Sequence, residues 1–157
     1  MKSFHSAELN DEMGEKLREK GGEYGATTGR PRRCGWFDAV VLRQSARMNG
    51  ITGLVVTKLD VLDGIDPIRV CVGYTCGGGK YDVVPSGLEE LEGCKPIYED
   101  HPGWTTPTAG CRSWDDLPGE AQSYIRRIEE LTGVPVAVIS TGQERTEYIE
   151  LIDPWKG

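Results

Sequence analysis

The chain has 157 residues, a net charge of −7 and a hydrophobic content of 38%. This length favours a single domain with one core, and the negative charge argues against non-specific binding to nucleic acids or membranes. The sequence contains no apolar run of membrane-spanning length, and its first residues lack the apolar region of a signal segment, so neither feature is expected. Its 21 glycines and 9 prolines indicate a domain rich in loops, where functional residues are often found.

The cysteines are spread along the chain without a C-x-x-C pair. They are Cys34, Cys71, Cys76, Cys94 and Cys111. The two histidines, His5 and His101, are isolated, so the sequence shows no zinc-binding pattern and no metal ligands are expected. An odd number of unclustered cysteines favours reduced thiols, and we therefore expect a cytoplasmic protein.

The first half of the chain predicts two helices and a strand. Residues 9–20 are moderately helical and are followed by a glycine pair that stops the helix. Residues 23–35 lack a hydrophobic period and predict a loop, and residues 36–49 show helical spacing. The continuous apolar run at 51–56 predicts a strand that is buried on both faces.

The second half predicts a hairpin, a helix and two strands. Alternating apolar residues over 68–83 surround a glycine-rich tip, whereas residues 88–116 are irregular. Residues 121–131 form the clearest amphipathic helix, and apolar strands are expected at 134–139 and 148–151. The pattern predicts an α/β fold: a mixed, mainly parallel sheet with flanking helices and an added antiparallel hairpin.

Positive charge is concentrated in one part of this acidic chain. Residues 24–49 contain five arginines and one acidic residue, Asp38, which gives a local charge of +4. A basic island of this kind favours a site for a small anion over a nucleic-acid surface. A solvated helix face is the structural alternative.

Within this island, residues 25–33 read G-A-T-T-G-R-P-R-R. The segment combines two threonine hydroxyls, glycines that let the backbone approach a ligand, and three guanidinium groups that match carboxylates or phosphates. A helix N-terminus near Trp36 would add a positive dipole. The pattern therefore predicts an anion-binding loop, and a flexible surface loop with incidental charge is the alternative.

Residues 57–64 read T-K-L-D-V-L-D-G directly after an apolar strand, where α/β folds place ligands. The K-x-D pattern resembles the base-reading turn of GTP-binding proteins. Asp60 is suited to accept hydrogen bonds from guanine N1–H and N2–H₂, and the stem of Lys58 to cover the base. The alternative is that Asp60 caps the next turn. Ser140-Thr141-Gly142 also follows a predicted strand and offers backbone groups to a base, although alone it is only a turn signal.

Six segments, in this order and at this spacing, resemble adenylosuccinate synthetase. They are G-A-T-T-G-R, T-K-L-D-V-L-D-G, C-K-P-I-Y-E (94–99), P-G-W (102–104), Y-I-R-R-I-E-E-L-T-G-V-P (124–135) and I-S-T-G (139–142). The resemblance covers residues 9–157 and corresponds to roughly the C-terminal third of a family member. It implies GTP- and magnesium-dependent ligation of L-aspartate to IMP in AMP biosynthesis, a homodimer, and part of a P-loop-NTPase-related synthetase fold.

The resemblance also implies roles for individual residues. Those expected to bind aspartate and IMP are Ala26, Thr27, Thr28, Gly29, Arg30 and Arg32. Those expected to bind GTP are Arg32, Lys58, Leu59, Asp60, Ser140, Thr141 and Gly142. Two positions depart from the family pattern: Pro31 stands where many relatives carry arginine, and Gln143 stands where proline is common.

The family's N-terminal glycine-rich segment, G-D-E-G-K-G-K, has no counterpart in this sequence. That segment carries the catalytic aspartate and the phosphate cradle, and a catalytic histidine lies beyond it. Neither His5 nor His101 has a matching context, and residues 1–6 show no resemblance. We therefore expect a partial or split synthetase that is inactive alone, without catalytic residues, and with the Mg²⁺ ligands in the missing N-terminal portion.

Two other functions are compatible with the sequence. One is a standalone module that binds guanine nucleotides or carboxylates, or that regulates the full-length enzyme. The other is an interaction fragment whose exposed apolar surface marks a missing partner.

Overall fold

The computed structural model describes residues 7–83, 93–142 and 144–153. These residues contain three α-helices: α1 (Glu12–Gly21), α2 (Ala39–Asn49) and α3 (Gly119–Thr132). The strands are β1 (Phe37–Asp38), β2 (Leu54–Val56), β3 (Ile68–Cys76), β4 (Gly79–Tyr81), β5 (Lys95–His101), β6 (Val136–Ser140) and β7 (Tyr148–Glu150). Short 3₁₀ turns lie at Leu59–Leu62 and Trp114–Asp116.

The chain is divided into two compact units. The first comprises Met1–Gln44 and Arg69–Asp100, and the second comprises Ser45–Ile68 and His101–Gly157. The boundaries fall within α2, after the first residue of β3 and before the last residue of β5. The grouping of both units into a single domain stays a prediction.

Helix α1 confirms the first predicted helix, but it begins at Glu12 rather than at residue 9. The Asp11 carboxylate accepts a hydrogen bond from the Gly14 backbone N–H at 3.0 Å and so fixes the N-terminus. At the other end, Gly22 adopts a left-handed conformation with φ of 59°. The predicted glycine stop is therefore present, and it closes the helix by the usual left-handed cap.

Helix α2 begins at Ala39, so the start predicted near Trp36 is wrong. Phe37 and Asp38 form β1 instead. The Asp38 Oδ1 atom accepts hydrogen bonds from the backbone N–H groups of Val40 at 3.1 Å and Val41 at 3.0 Å. Because a carboxylate already occupies this helix N-terminus, the predicted contribution of its dipole to anion binding is also wrong.

The sheet that contains β3 pairs this central strand with three others. β1 is parallel to it, with Phe37 opposite Val70, and β4 is antiparallel, with Tyr74 opposite Tyr81. The predicted hairpin with a glycine tip is thus confirmed. β5 also pairs with β3, and the contact between Thr75 Oγ1 and the Lys95 carbonyl lies near one end of this pairing.

Strand β5 corrects the irregular structure expected over residues 88–116. Its residues are mostly half-buried and do not alternate between apolar and polar, so no period-2 signal marks the strand. Long-range pairing with β3 defines it instead. Residues 88–92 of that expectation lie outside the described residues.

The second sheet has the order β2-β6-β7. β2 runs parallel to β6, with Val56 opposite Ile139, and β7 runs antiparallel to it. Val55 is 63% exposed, so the prediction that this strand is buried on both faces is wrong. Parallel and antiparallel pairings occur in both sheets. The fold is therefore mixed α/β rather than mainly parallel, and the relation to P-loop NTPases stays a prediction.

Helix α3 confirms the clearest periodicity of the sequence. Its buried residues recur at helical spacing: Ala121, Tyr124, Ile125, Ile128 and Thr132. Gly133, with φ of 71°, ends it as predicted. Burial raises the pKa of Tyr124 well above its usual value, because the charged phenolate is disfavoured away from water. This face therefore belongs to the core of the second unit.

Cys76 and Cys94 form a disulfide, so the expectation that all five cysteines are reduced is wrong for this pair. Cys76 ends β3 and Cys94 directly precedes β5, and their Cα atoms lie 4.4 Å apart. The strand pairing thus brings together two residues separated by 18 positions. Cys34, Cys71 and Cys111 remain as thiols.

We expect thiol titration in denaturant to detect three thiols without reductant and five after reduction. In the native protein, Cys34 should react with iodoacetamide before Cys71. Burial, together with the nearby negative charge of Asp38, raises the pKa of Cys71 to about 11, so its unreactive protonated form persists near neutral pH. Mass spectrometry of alkylated peptides measures both. Five thiols without reductant would contradict the disulfide.

Candidate functional site

The arginine-rich loop of the first unit is a hairpin-like turn held by its own backbone. The Gly25 N–H donates to the Arg30 carbonyl at 2.9 Å, and the Gly29 N–H donates to the Gly25 carbonyl at 2.8 Å. An antiparallel bridge pairs Tyr24 with Pro31. Pro31 therefore lies at the base of the turn, where it does not interrupt these two hydrogen bonds.

The tip of this loop exposes the predicted aspartate-binding residues. Ala26, Thr27, Thr28, Gly29 and Arg30 are all exposed. Within the tip, Thr28 Oγ1 accepts a hydrogen bond from the Arg30 N–H at 3.3 Å. Gly29 has φ of 62°, a conformation that side chains disfavour, so this tight turn requires glycine.

The two predicted ligand-binding arginines differ in their partners. Arg32 Nη1 lies 3.1 Å from Glu23 Oε2, and the Arg32 carbonyl accepts a hydrogen bond from Arg18 Nε at 2.9 Å. Arg30 is exposed and makes no ion pair among the residues that the structure describes. A dicarboxylate or phosphate would therefore meet the Arg30 guanidinium without competition, whereas Arg32 would have to exchange Glu23 for the ligand.

In the second unit, the K-L-D and S-T-G segments lie at one edge of a sheet. β2 and β6 are parallel neighbours, and Val56 is opposite Ile139. Because parallel strands end at the same edge, Thr57 and Ser140 begin adjacent segments. The structure thus brings together both predicted base-binding segments. It places the arginine-rich loop in the other compact unit.

Lys58 adopts a left-handed backbone conformation. Its φ of 58° and ψ of 44° make it the one non-glycine residue with positive φ in the described ranges. A left-handed conformation costs a residue with a Cβ about 1–2 kcal/mol, and such residues cluster at functional sites. Lys58 occupies the N-cap position of the 3₁₀ turn, so Asp60 is not the cap that the alternative interpretation proposed.

The turn after Lys58 is anchored from inside the protein. Leu59 is only 1% exposed and fixes the turn in the core. The Val61 N–H donates to the Lys58 carbonyl at 3.2 Å, and Asp60 Oδ1 is buried. Lys58 and Asp60, which flank the buried Leu59, are therefore held at a defined position on the sheet edge.

The S-T-G segment uses its hydroxyl groups internally. Ser140 Oγ donates to the Gly142 carbonyl at 2.9 Å, and the fully buried Thr141 Oγ1 donates to the Cys111 carbonyl at 3.1 Å. A Cβ at Gly142 would lie 2.1 Å from Glu147 Oε2, so a larger residue there would require the Glu147 side chain to move. A base would therefore meet mainly backbone groups here. Gln143, the departure from the family pattern, lies outside the described residues.

Sequence reasoning missed a buried network behind this edge. Asp63 Oδ1 accepts hydrogen bonds from Trp104 Nε1 at 2.6 Å and from Thr108 Oγ1 at 2.9 Å. Asp63 Oδ2 accepts one from the Thr108 N–H at 2.9 Å. The available signals were the second aspartate of K-L-D-V-L-D-G and the tryptophan of P-G-W, which no local pattern connects.

A metal site is not formed by the part of the chain that the structure describes. Within residues 7–83, 93–142 and 144–153, no three His, Cys, Asp or Glu side chains are grouped as metal ligands would be. These residues therefore do not provide an all-protein ligand set for the Mg²⁺ that the resemblance implies. No described helix is long and apolar enough to cross a membrane.

A mixed α/β fold with a K-x-D turn and an S-T-G turn at the shared edge of two parallel strands defines a candidate purine-nucleotide-binding protein. Residues 3–149 match the adenylosuccinate synthetase family, and the chain belongs to that family. The match begins before the resemblance at residue 9, so the expectation that residues 1–6 have no counterpart is wrong from residue 3 onward.

Individual relatives agree with this assignment. The chain is 57% identical over 148 residues to adenylosuccinate synthetase 1 of Chromobacterium violaceum, and 54% identical over 149 residues to adenylosuccinate synthetase of Alkalilimnicola ehrlichii. These matches cover 94% and 95% of this chain and 34% of each relative. The chain thus spans about a third of the length of the curated relatives that it matches.

A solved structure extends the comparison to the fold. The structure of fully ligated adenylosuccinate synthetase from Plasmodium falciparum matches with a TM-score of 0.88 at 39% identity. The match covers 93% of this chain and 35% of that chain. The fold of nearly all of this chain therefore recurs within a larger synthetase.

Proposed function

We propose that this chain provides the aspartate-binding loop and the guanine-recognition turn for GTP-dependent ligation of L-aspartate to IMP. The observation that supports this most strongly is the shared edge of β2 and β6, which carries the K-L-D and S-T-G segments side by side. Membership of the adenylosuccinate synthetase family supplies the reaction class. In this role the chain binds and orients substrates in AMP biosynthesis.

Guanine recognition follows from the chemistry of Asp60. A carboxylate accepts hydrogen bonds from the N1–H and the N2–H₂ group of guanine, whereas the corresponding edge of adenine offers no N1–H. The buried Leu59 fixes the turn that carries Asp60, and the left-handed Lys58 directs its stem differently from a helical residue. The burial of Leu59 and the left-handed conformation of Lys58 support a base-reading turn that is formed before a nucleotide binds.

Aspartate binding follows from the exposed tip of the arginine-rich loop. Arg30 offers a planar guanidinium to a carboxylate, and Ala26–Gly29 offer exposed backbone and hydroxyl groups. The Arg32–Glu23 ion pair leaves 60% of the Arg32 side chain exposed. Exposed pairs contribute only about 0–1 kcal/mol, so exchange of Glu23 for a ligand phosphate costs little.

The remaining steps of the reaction are not assigned to this chain. The described residues contain no cluster of three or more potential metal ligands, and the sequence lacks the glycine-rich segment that holds the triphosphate. Proton removal from IMP and phosphoryl transfer are therefore assigned to the portion found in longer relatives. A homodimer, contact with that N-terminal portion, and a cytoplasmic location stay predictions.

The direct test is calorimetric titration of the purified chain with GDP and, separately, with ADP. Base recognition without a phosphate cradle predicts a GDP affinity of about −4 to −6 kcal/mol, in the high-micromolar to millimolar range, with weaker ADP binding. Equal affinities, or no binding of either nucleotide, would contradict a base site in this chain. Nanomolar GDP binding would favour the standalone guanine-nucleotide-binding module instead.

The ligase role has a separate test by complementation. The chain is mixed with the remaining portion of the Chromobacterium violaceum relative, and adenylosuccinate is measured by its absorbance in the presence of IMP, aspartate and GTP. Product formation above that of either part alone supports the role. Absence of product from a mixture that forms a stable complex contradicts it.

Replacement of Arg30 by alanine should weaken L-aspartate binding while leaving the fold unchanged. Loss of one charge-assisted contact at about 1.5–3 kcal/mol predicts a decrease in affinity of tenfold or more. Titration followed by NMR chemical shifts measures the affinity, and thermal unfolding reports the fold. Arg47→Ala is the matched control, because Arg47 is an exposed arginine of the same basic island. A lowered unfolding temperature in Arg30→Ala alone would show a structural role.

A further inference from the structure

A segment anchored by three buried residues, Trp104, Thr108 and Cys111, connects the two halves of the candidate base site. Residues 104–111 lie in the same compact unit as the K-L-D and S-T-G turns. Within this segment Trp104 is 3% exposed and Thr108 is 0% exposed. Polar side chains at such burial have to form hydrogen bonds, because an unsatisfied buried group is costly. Their partners therefore show what the segment holds in place.

At one end the segment holds the residues that follow the K-L-D turn. The Asp63 carboxylate receives the indole N–H of Trp104 and both the hydroxyl and the backbone N–H of Thr108. The Gly64 N–H donates to the Trp104 carbonyl at 2.8 Å, and the Gly103 N–H donates to Asp66 Oδ1 at 2.9 Å. Four hydrogen bonds of the segment, and one from the preceding Gly103, thus fix the chain directly after the K-L-D turn.

At the other end the segment holds the S-T-G turn. The Cys111 N–H donates to the Thr108 carbonyl at 3.1 Å, and the Cys111 carbonyl accepts the Thr141 hydroxyl at 3.1 Å. Thr141 is fully buried, and its backbone N–H donates to the Glu147 carbonyl at 2.9 Å. Thr108 therefore bonds to Asp63 through its hydroxyl and backbone N–H. Its carbonyl bonds to Cys111, which in turn bonds to Thr141.

We propose that Thr108 is a positioning residue for guanine selectivity, because it connects Asp63 behind the K-L-D turn to Cys111 and Thr141 behind the S-T-G turn. This inference rests on the proposed guanine site. Selectivity between two purines depends on the distance between groups that read different base edges. A rigid buried link sets that distance, whereas two independently mobile turns would adapt to either base.

The first experiment compares GDP and ADP affinities of the wild-type chain with those of Thr108→Val. Valine keeps the shape of threonine and removes the hydroxyl bonded to Asp63. The GDP-over-ADP ratio is expected to fall about fivefold or more. Thr108→Ser restores the hydroxyl and should recover the ratio. Thr106→Val makes the same change at an exposed position of the same segment and should leave the ratio unchanged.

An unchanged ratio in Thr108→Val would overturn the inference while leaving the guanine site intact. Absence of GDP preference in the wild-type chain would instead contradict the proposed function. A second measurement then still tests the link, because it needs no nucleotide. Hydrogen exchange of the Val61 and Thr141 amides reports the two turns, since their N–H groups donate to Lys58 and Glu147.

Thr108→Val is expected to accelerate exchange at both amides while the Gly133 amide, which donates to Glu129 at the end of α3, keeps its wild-type rate. Thr108→Ser should restore slow exchange. Acceleration confined to residues 104–111, or equal acceleration at Gly133, would overturn the inference. If Thr108→Val does not fold, Trp104→Phe removes one donor to Asp63 and keeps an aromatic ring. This variant should accelerate hydrogen exchange at the Val61 amide. An unchanged exchange rate at Val61 would overturn the inference.

Discussion

Replacement of Asp60 by alanine is expected to abolish the preference of this chain for guanine over adenine nucleotides. Asp60 lies in the 3₁₀ turn Leu59–Leu62 at the edge shared by β2 and β6. Each charge-assisted hydrogen bond from its carboxylate contributes about 1.5–3 kcal/mol, so loss of one such bond alone reduces the GDP-over-ADP ratio by about tenfold to a few hundredfold. Calorimetric titration of the variant with each nucleotide measures the ratio.

Asp60→Asn refines this experiment, because it keeps the shape of the side chain and replaces one acceptor with a donor that faces the guanine N–H groups. It should lose GDP affinity and keep wild-type stability. Asp115→Ala is the matched control, since Asp115 is an exposed aspartate in the other 3₁₀ turn, Trp114–Asp116. A GDP-over-ADP ratio in Asp60→Ala equal to that of the wild type would exclude Asp60 as the base-reading residue.

The parts of the fold that sequence predicted are those with a strong local signal. Helix α3 was readable because five buried residues recur at helical spacing, and its end because Gly133 follows directly. The β3–β4 hairpin was readable from alternation around a glycine tip. Strand β5 was missed because its half-buried residues show no period, and only its pairing with β3 makes it a strand.

The same distinction applies to the candidate site. The K-L-D and S-T-G segments could be placed at strand ends from sequence, but their adjacency depends on the pairing of β2 with β6, which lie about 80 residues apart in the chain. The Asp63–Thr108 contact and the Cys76–Cys94 disulfide are likewise long-range. The N-terminus of α2 is a different kind of error, because a local pattern was assigned to ligand binding. Its N–H groups instead bind the Asp38 carboxylate.

Gly103→Ala should lower the free energy of unfolding by about 3 kcal/mol, near the upper end of the usual cost of overpacking. A Cβ at this position would lie 1.8 Å from the Ile65 carbonyl oxygen and 2.8 Å from its carbon. Both contacts are to backbone, so no side chain can rotate away. The Gly103 N–H also donates to Asp66 Oδ1. An outward shift of this backbone would therefore break that hydrogen bond.

Urea denaturation followed by circular dichroism measures this change, with Gly119→Ala as the control. A Cβ at Gly119, the first residue of α3, meets no atom within 4 Å, so alanine there should be neutral or stabilise by up to about 1 kcal/mol. Both substitutions lower the conformational entropy of the unfolded chain. The difference between their effects on the free energy of unfolding therefore reports the steric cost at Gly103. A surface substitution changes the free energy of unfolding by no more than about 0.5 kcal/mol. If Gly103→Ala has so small an effect, then the 103–104 backbone does not pack against Ile65. If the predicted cost is found, the glycine of P-G-W is required by close packing of this backbone behind the candidate base site, independently of any contact with nucleotide.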